Sequence, residues 1–150
     1  MAIMDGNLIF GEEASITTGG LVGDVIDLNS FEASGARDAI ARGEPIWWVN
    51  FITEAGAGGT SAYFDLKTHS AEGIDESTGA SYTRSPVFDL ADLEVGVYWN
   101  ICLPVTSLEV GRYVGAVVSA EGTFTALGVT SYLTLSPPPF GWSAIKDWRA

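Results

Sequence analysis

Apolar residues recur at alternate positions through most of this chain. In residues 62–68, Ala62, Phe64 and Leu66 fall on one face, with Tyr63, Asp65 and Lys67 on the other. That period of two predicts a strand with one buried and one wet face. Residues 97–103 repeat the pattern: Val97, Trp99, Ile101 and Leu103 alternate with Tyr98, Asn100 and Cys102. Pro104 ends that strand, since it has no N–H to donate to a ladder. Residues 113–120 point Val114, Ala116 and Val118 inward, and Glu121-Gly122 reads as a turn before Phe124 and Thr125. Residues 128–135 place Val129, Leu133 and Leu135 on one side, and residues 24–28 form a shorter strand. Residues 46–53 are apolar on both faces, with Ile46, Trp48 and Ile52 opposed to Trp47, Val49 and Phe51. A strand of that kind is central, or is covered by something outside the domain.

Helical spacing is weak everywhere except residues 31–42, where Ala36, Ala39, Ile40 and Ala41 allow one or two turns before Gly43. Residues 56–59, all Gly or Ala, read as a loop tip. The first residues are apolar and irregular. Ser136 is followed by three consecutive prolines, which make an extended, stiff segment and exclude a central strand. The predicted fold is all-β: a jelly-roll β-sandwich of about eight strands over residues 14–136. It carries an N-terminal arm, residues 1–13, and an extended Pro-rich C-terminal tail, residues 137–150. The strand pattern alone does not separate a jelly roll from other Greek-key sandwiches. A length of 150 residues suits one such domain.

Charge narrows the partners. Nineteen acidic residues against seven basic ones give a formal net charge of -12. Such a surface repels phosphate, so nucleic acid and anionic membrane are disfavoured partners. No run approaches the roughly 18 apolar residues of a membrane helix. Residues 1–10 lack the basic start of a secretory signal, so synthesis and folding in a cytoplasm are expected. A single cysteine, Cys102, excludes an internal disulfide. With one histidine, His69, a His-rich or Cys-rich metal site is excluded as well, and no metal or other cofactor is expected.

Catalytic chemistry finds little support. His69 follows a strand and reads as an exposed loop residue, and Cys102 as a small half-buried one. Asp89, Asp92 and Glu94, or Asp65 and Asp75, are candidate carboxylate pairs for glycoside hydrolysis. Close pairs are expected by chance among nineteen acids, however, and a solvated acidic face explains them. Oxygen-rich stretches at Asp5, Asn7, Glu12 and Glu13, and at residues 72–76, lack the spacing of a calcium loop. The glycine-rich residues 56–59 lack the lysine and helix of a phosphate loop.

Aromatic residues carry more information. Trp47 and Trp48 must point to opposite faces of their strand, so one of them leaves the core. Trp142 and Trp148 lie beyond the last strand. Two tryptophans in a tail are explained if the tail docks, either on its own domain or on a partner. Exposed aromatics also stack on sugars, which keeps a carbohydrate-binding or host-adhesion module as an alternative.

The order of segments resembles a known family. The segments are MAIMDGNLIF (1–10), ASITTGG (14–20), DVIDL (24–28), GEPIWWVNFITEA (43–55), TSAYFDLKT (60–68) and GRYVGAVVSAEGTFTALGVTSYLTL (111–135). Together they resemble the small jelly-roll cement, or decoration, proteins of tailed-phage capsids, as in a Bordetella podophage. Residues 30–42 and 72–85 depart from the pattern, and the tail lies outside it. The resemblance implies a structural virion protein with no enzymatic activity. It implies a place on the outer surface of an HK97-type capsid, often as a homodimer at two-fold positions. There it would clamp neighbouring major capsid proteins against internal DNA pressure. The expected contact elements are the apolar arm (Ile3, Leu8, Ile9, Phe10), the strand face with Trp47, Val49 and Phe51, and the tail anchors Phe140, Trp142 and Trp148.

Overall fold

The computed structural model of the chain describes residues 8–30, 33, 37, 42–103 and 111–135. Ten strands are described: β1 (Ile9–Ser15), β2 (Gly20–Leu21), β3 (Ile26–Asp27), β4 (Trp47–Ala57), β5 (Ser61–His69), β6 (Ala80–Arg84), β7 (Phe88–Asp89), β8 (Tyr98–Cys102), β9 (Tyr113–Glu121) and β10 (Ala126–Thr134). The count exceeds eight because β2, β3 and β7 are two-residue strands. One short 3-10 turn, Leu90–Asp92, follows β7.

The strands form two antiparallel sheets packed as a β-sandwich. Sheet A has the order β1-β10-β4-β8, and sheet B the order β2-β9-β5-β6, with β3 added on β9 and β7 on β5. Two long arches build the centre. β4 turns into β5 through residues 58–60, and β9 turns into β10 through residues 122–125. The arches lie side by side, so β4 pairs with β10 in one sheet and β5 with β9 in the other. At the bend the Thr60 N–H donates to the Glu121 carbonyl at 2.9 Å, and the Thr125 N–H to the Ala57 carbonyl at 2.7 Å. Gly59 is required there, because a Cβ would stand 2.5 Å from the buried Phe124 ring.

Alternation places the core between the sheets as the sequence predicts. Trp48, Ile52, Leu127, Val129 and Leu133 of sheet A face Ala62, Phe64, Leu66, Val114, Ala116 and Val118 of sheet B. Trp99 stands half-buried at the margin, its ring centroid 4.7 Å from that of Phe64 and 4.8 Å from that of Phe88. Trp48 is fully buried, and its indole N–H donates to the Ser131 hydroxyl at 2.9 Å.

Several expectations are corrected. The arm drawn over residues 1–13 is sandwich from Leu8 onward: β1 pairs with β10, and Leu8 and Phe10 are core residues, 3% and 2% exposed. Their apolar side chains gain more from the inter-sheet core than from any outward position. Residues 56–57 belong to β4, so the loop tip is only residues 58–60. Leu135 lies past the end of β10 and is exposed, not inward. His69 is the last residue of β5, half-buried, and its Nδ1 accepts from the Ser70 N–H at 2.9 Å. Cys102 is exposed at the end of β8. Of the helix expected over residues 31–42, only three residues are described. Arg37 donates its N–H to the Ala33 carbonyl at 3.1 Å, the spacing of an α-helical turn. The tail call, residues 137–150, lies outside the described residues.

Candidate interaction surfaces

Two outward sheet faces remain once the core is assigned. On sheet B the supposedly wet face of β5 is not wet. Asp65 is 1% exposed and Lys67 is 7% exposed. Register explains both. β6 brings Arg84 opposite Asp65, and the Arg84 Nη2 donates to its carboxylate at 3.0 Å, joined by the Ser81 hydroxyl. The same guanidinium stacks 4.6 Å from the centre of the Tyr63 ring. The Lys67 ammonium donates to the carbonyls of Asp75 and Glu76, at 3.0 and 2.6 Å. The loop of residues 70–79 is thereby clasped over the sheet, and its Ile74, 2% exposed, sits against Gly115. Inside the loop, Asp75 accepts from the backbone N–H groups of Ser77 and Thr78 and from the Ser77 hydroxyl. Those bonds, the Ser77 hydroxyl foremost, hold its carboxyl below the ordinary range.

At the β3 edge of the sheet, level with His69, Arg112 grips the Asp27 carboxylate with two bonds of 2.9 Å each. Its guanidinium lies 5.1 Å from the Tyr113 ring centre. The Arg112 bond holds the Asp27 carboxyl below its ordinary range. A shallow depression beside Tyr63 is lined by Ser61, Val87, Ser119, Ala120 and Glu121, with the Ser61 hydroxyl donating to the Glu121 carboxylate at 3.1 Å.

On sheet A the outward face carries Trp47, Val49 and Phe51 of β4, with Tyr132 and Tyr98 as register neighbours. Ile9 of β1 stands opposite Tyr132 on the same face. Trp47, Phe51 and Ile9 are half-buried, whereas Val49 is 0% and Tyr132 1% exposed. Burial pushes the Tyr132 phenol above its ordinary pKa. Of the expected contact residues, this face therefore unites Ile9, Trp47, Val49 and Phe51. Val49 is too deeply buried to offer a contact, and Leu8 and Phe10 face the core instead. Ile3, Phe140, Trp142 and Trp148 lie outside the described residues.

The carboxylates proposed for glycoside chemistry do separate things. Asp65 is held by Arg84 and Ser81, Asp75 by its own loop, and Asp89, Asp92 and Glu94 are exposed around the 3-10 turn. No group of three or more His, Cys, Asp or Glu side chains placed to hold a metal ion occurs among the described residues. No protein-family model matches the chain, and no curated protein matches its sequence.

Proposed function

We propose that this chain is a capsid cement protein: a structural virion protein on the outer surface of an HK97-type bacteriophage shell. It clamps neighbouring major capsid proteins, as a homodimer at two-fold positions, and stabilises the capsid against internal DNA pressure. One observation carries this reading. The six segments that resemble the family fall, in order, on β1 to β5, β9 and β10, which make up most of both sheets. The departures fall on the β3–β4 connection and on the clasped loop with β6, which are attachments to that frame. The winding agrees with a jelly roll, since β1 and β2, β4 and β5, β8 and β9, and β9 and β10 all lie in opposite sheets.

Clamping needs no strong single contact. Each copy that touches two capsid subunits makes its second contact at high effective concentration, so modest interfaces add to a firm lattice. The test is co-sedimentation with expanded shells lacking this protein, across a salt series. Saturable binding near one copy per capsid subunit is expected, with survival in high salt if apolar anchors dominate. Absence of binding to those shells refutes the reading. A second reading, a carbohydrate-binding module, draws on the depression lined by Tyr63, the hydroxyl residues Ser61 and Ser119, and Glu121. A glycan that perturbs Tyr63 and leaves shells untouched would favour it.

A further inference from the structure

A carboxamide stands in the core between the sheets. Asn50 lies on β4 between Trp48 and Ile52, and alternation turns it the same way as those two, toward sheet B. It is 0% exposed, yet neither its Nδ2 nor its Oδ1 has a hydrogen-bond partner among the described residues. Turning the amide end over changes nothing, because both ends are unpartnered. Trp99 stands opposite Asn50 on β8, and its enclosed indole N–H is likewise without a partner among the described residues. Ser131 stands opposite Asn50 on β10, where its hydroxyl accepts the Trp48 indole N–H at 2.9 Å. Three neighbouring strands thus bring two orphaned groups and a hydroxyl to one level of the inward face of sheet A.

We propose that this level of the core is a binding site for an internal water molecule, held by the Asn50 amide and the Trp99 indole N–H beside the Ser131 hydroxyl. Buried polar groups in native proteins find partners, and water supplies them where no protein atom does. The donors and acceptors identify the ligand. Asn50 offers an NH2 and a carbonyl oxygen, Trp99 a single N–H, and Ser131 a hydroxyl that can donate or accept. The ligand has to accept from the N–H groups and donate to the Asn50 Oδ1, and water does both. A metal cation would meet N–H groups and no carboxylate. The buried charged side chains among the described residues, Asp65 and Lys67, stand on the outward face of β5. An anion would meet the Asn50 oxygen with no cation on this face to balance it, in a chain of net charge -12.

Position gives the water its role. β4 lies between β10 and β8, and Asn50 faces a residue of each in register. A slip of one residue would turn Asn50 to the outer face and part it from Trp99 and Ser131. An apolar core tolerates other alignments; a bridged polar level favours this one. The Trp99 ring, 4.7 Å from that of Phe64, extends the same tie to sheet B.

The test is a high-resolution crystal structure of the full-length protein, with a bromide-soaked crystal beside it. A water within about 3.2 Å of an Asn50 amide atom and of the Trp99 Nε1 is expected. Density without a water there overturns the proposal, and an anomalous bromide peak overturns it in favour of an anion. In solution, oxygen-17 relaxation dispersion counts long-lived internal waters. Asn50→Leu should lower that count by about one, with amide protection of β5 and β9 retained. An unchanged count in the folded variant overturns the site. Should the variant fail to fold, Overhauser effects in the wild-type protein decide. The Trp99 indole proton must then show a cross-peak with water, of the sign that marks a residence beyond about a nanosecond. Its absence overturns the proposal. None of these readouts depends on whether the protein binds shells.

Discussion

Replacing Lys67 by Met probes the clasp over sheet B. The substitution keeps an unbranched apolar stem of similar volume and removes only the charged head. In the native protein that head donates to two loop carbonyls, at 3.0 and 2.6 Å, in a site 7% exposed. Hydrogen bonds to charged groups contribute about 1.5–3 kcal/mol each, so a loop that stayed shut over the Met would lose about 3–6 kcal/mol. The loop has an alternative. It can open to water, which hydrates both carbonyls and forfeits mainly the burial of Ile74, about 1.5–3 kcal/mol. The cheaper route sets the ceiling, so the expected loss is about 2–3 kcal/mol. Urea denaturation of both proteins gives that difference, and hydrogen exchange locates it. Amides of residues 74–79 should exchange roughly 30- to 150-fold faster relative to wild-type, the equivalent of 2–3 kcal/mol. Stability within 0.5 kcal/mol of wild-type and unchanged loop exchange would refute the clasp. A loss above about 5 kcal/mol, spread evenly over both sheets, would show that the lysine supports the core itself.

Three further predictions follow from single contacts. Gly23→Ala should cost about 2–4 kcal/mol, because φ is +73° and the new Cβ would stand 2.0 Å from the Phe10 carbonyl oxygen; Gly43→Ala has the same φ with nothing within 4 Å and should cost about 1–2 kcal/mol. Equal losses in thermal or urea unfolding would remove the role given to the Phe10 contact. In a cycle of Ser131→Ala and Trp48→Phe, the buried 2.9 Å bond should give a coupling of about 1 kcal/mol, and additivity within 0.3 kcal/mol would contradict it. Asp27, held below its ordinary range by Arg112, favours the fold above the carboxylate range near 4 and ceases to do so as pH falls through its lowered folded value. The urea-midpoint gap between wild-type and Asp27→Asn should accordingly narrow as pH falls below the ordinary carboxylate range; a gap that stays constant on acidification would exclude the linkage.

Much of the fold was legible because alternation records which side chains meet between the sheets. Val114, Ala116 and Val118, and Ala62, Phe64 and Leu66, take the inward positions that their spacing assigns. Trp48 faces in and Trp47 out, as adjacent residues of a strand must. What alternation cannot record is register across strands. Nothing near Asp65 in the chain announces Arg84, and nothing near Lys67 marks the carbonyls of Asp75 and Glu76 as its acceptors. Charged residues therefore looked solvated where pairing had made burial tolerable. The same blindness hid β1: Leu8 and Phe10 looked stranded at a terminus because their partners lie beyond residue 125. Ser131 breaks an apolar face in sequence and is explained only by the indole beside it. The inward Asn50 has no such explanation among the described residues.

The place of β10 has a consequence for the order in which the chain matures. β10 is the last of the ten strands to be made, yet it stands between β1 and β4 in sheet A. Ile9 must wait for Tyr132, more than a hundred residues later, before it has a neighbour. At synthesis rates of about 5–20 residues per second that interval is roughly 6–25 s. During it the newborn β1 is a lone apolar strand, and β4 has one open side. The exposed carboxylates Glu12 and Glu13, with the register breaks around them, then serve as gatekeepers on a nascent chain, discouraging pairing with another copy until the closing strand emerges.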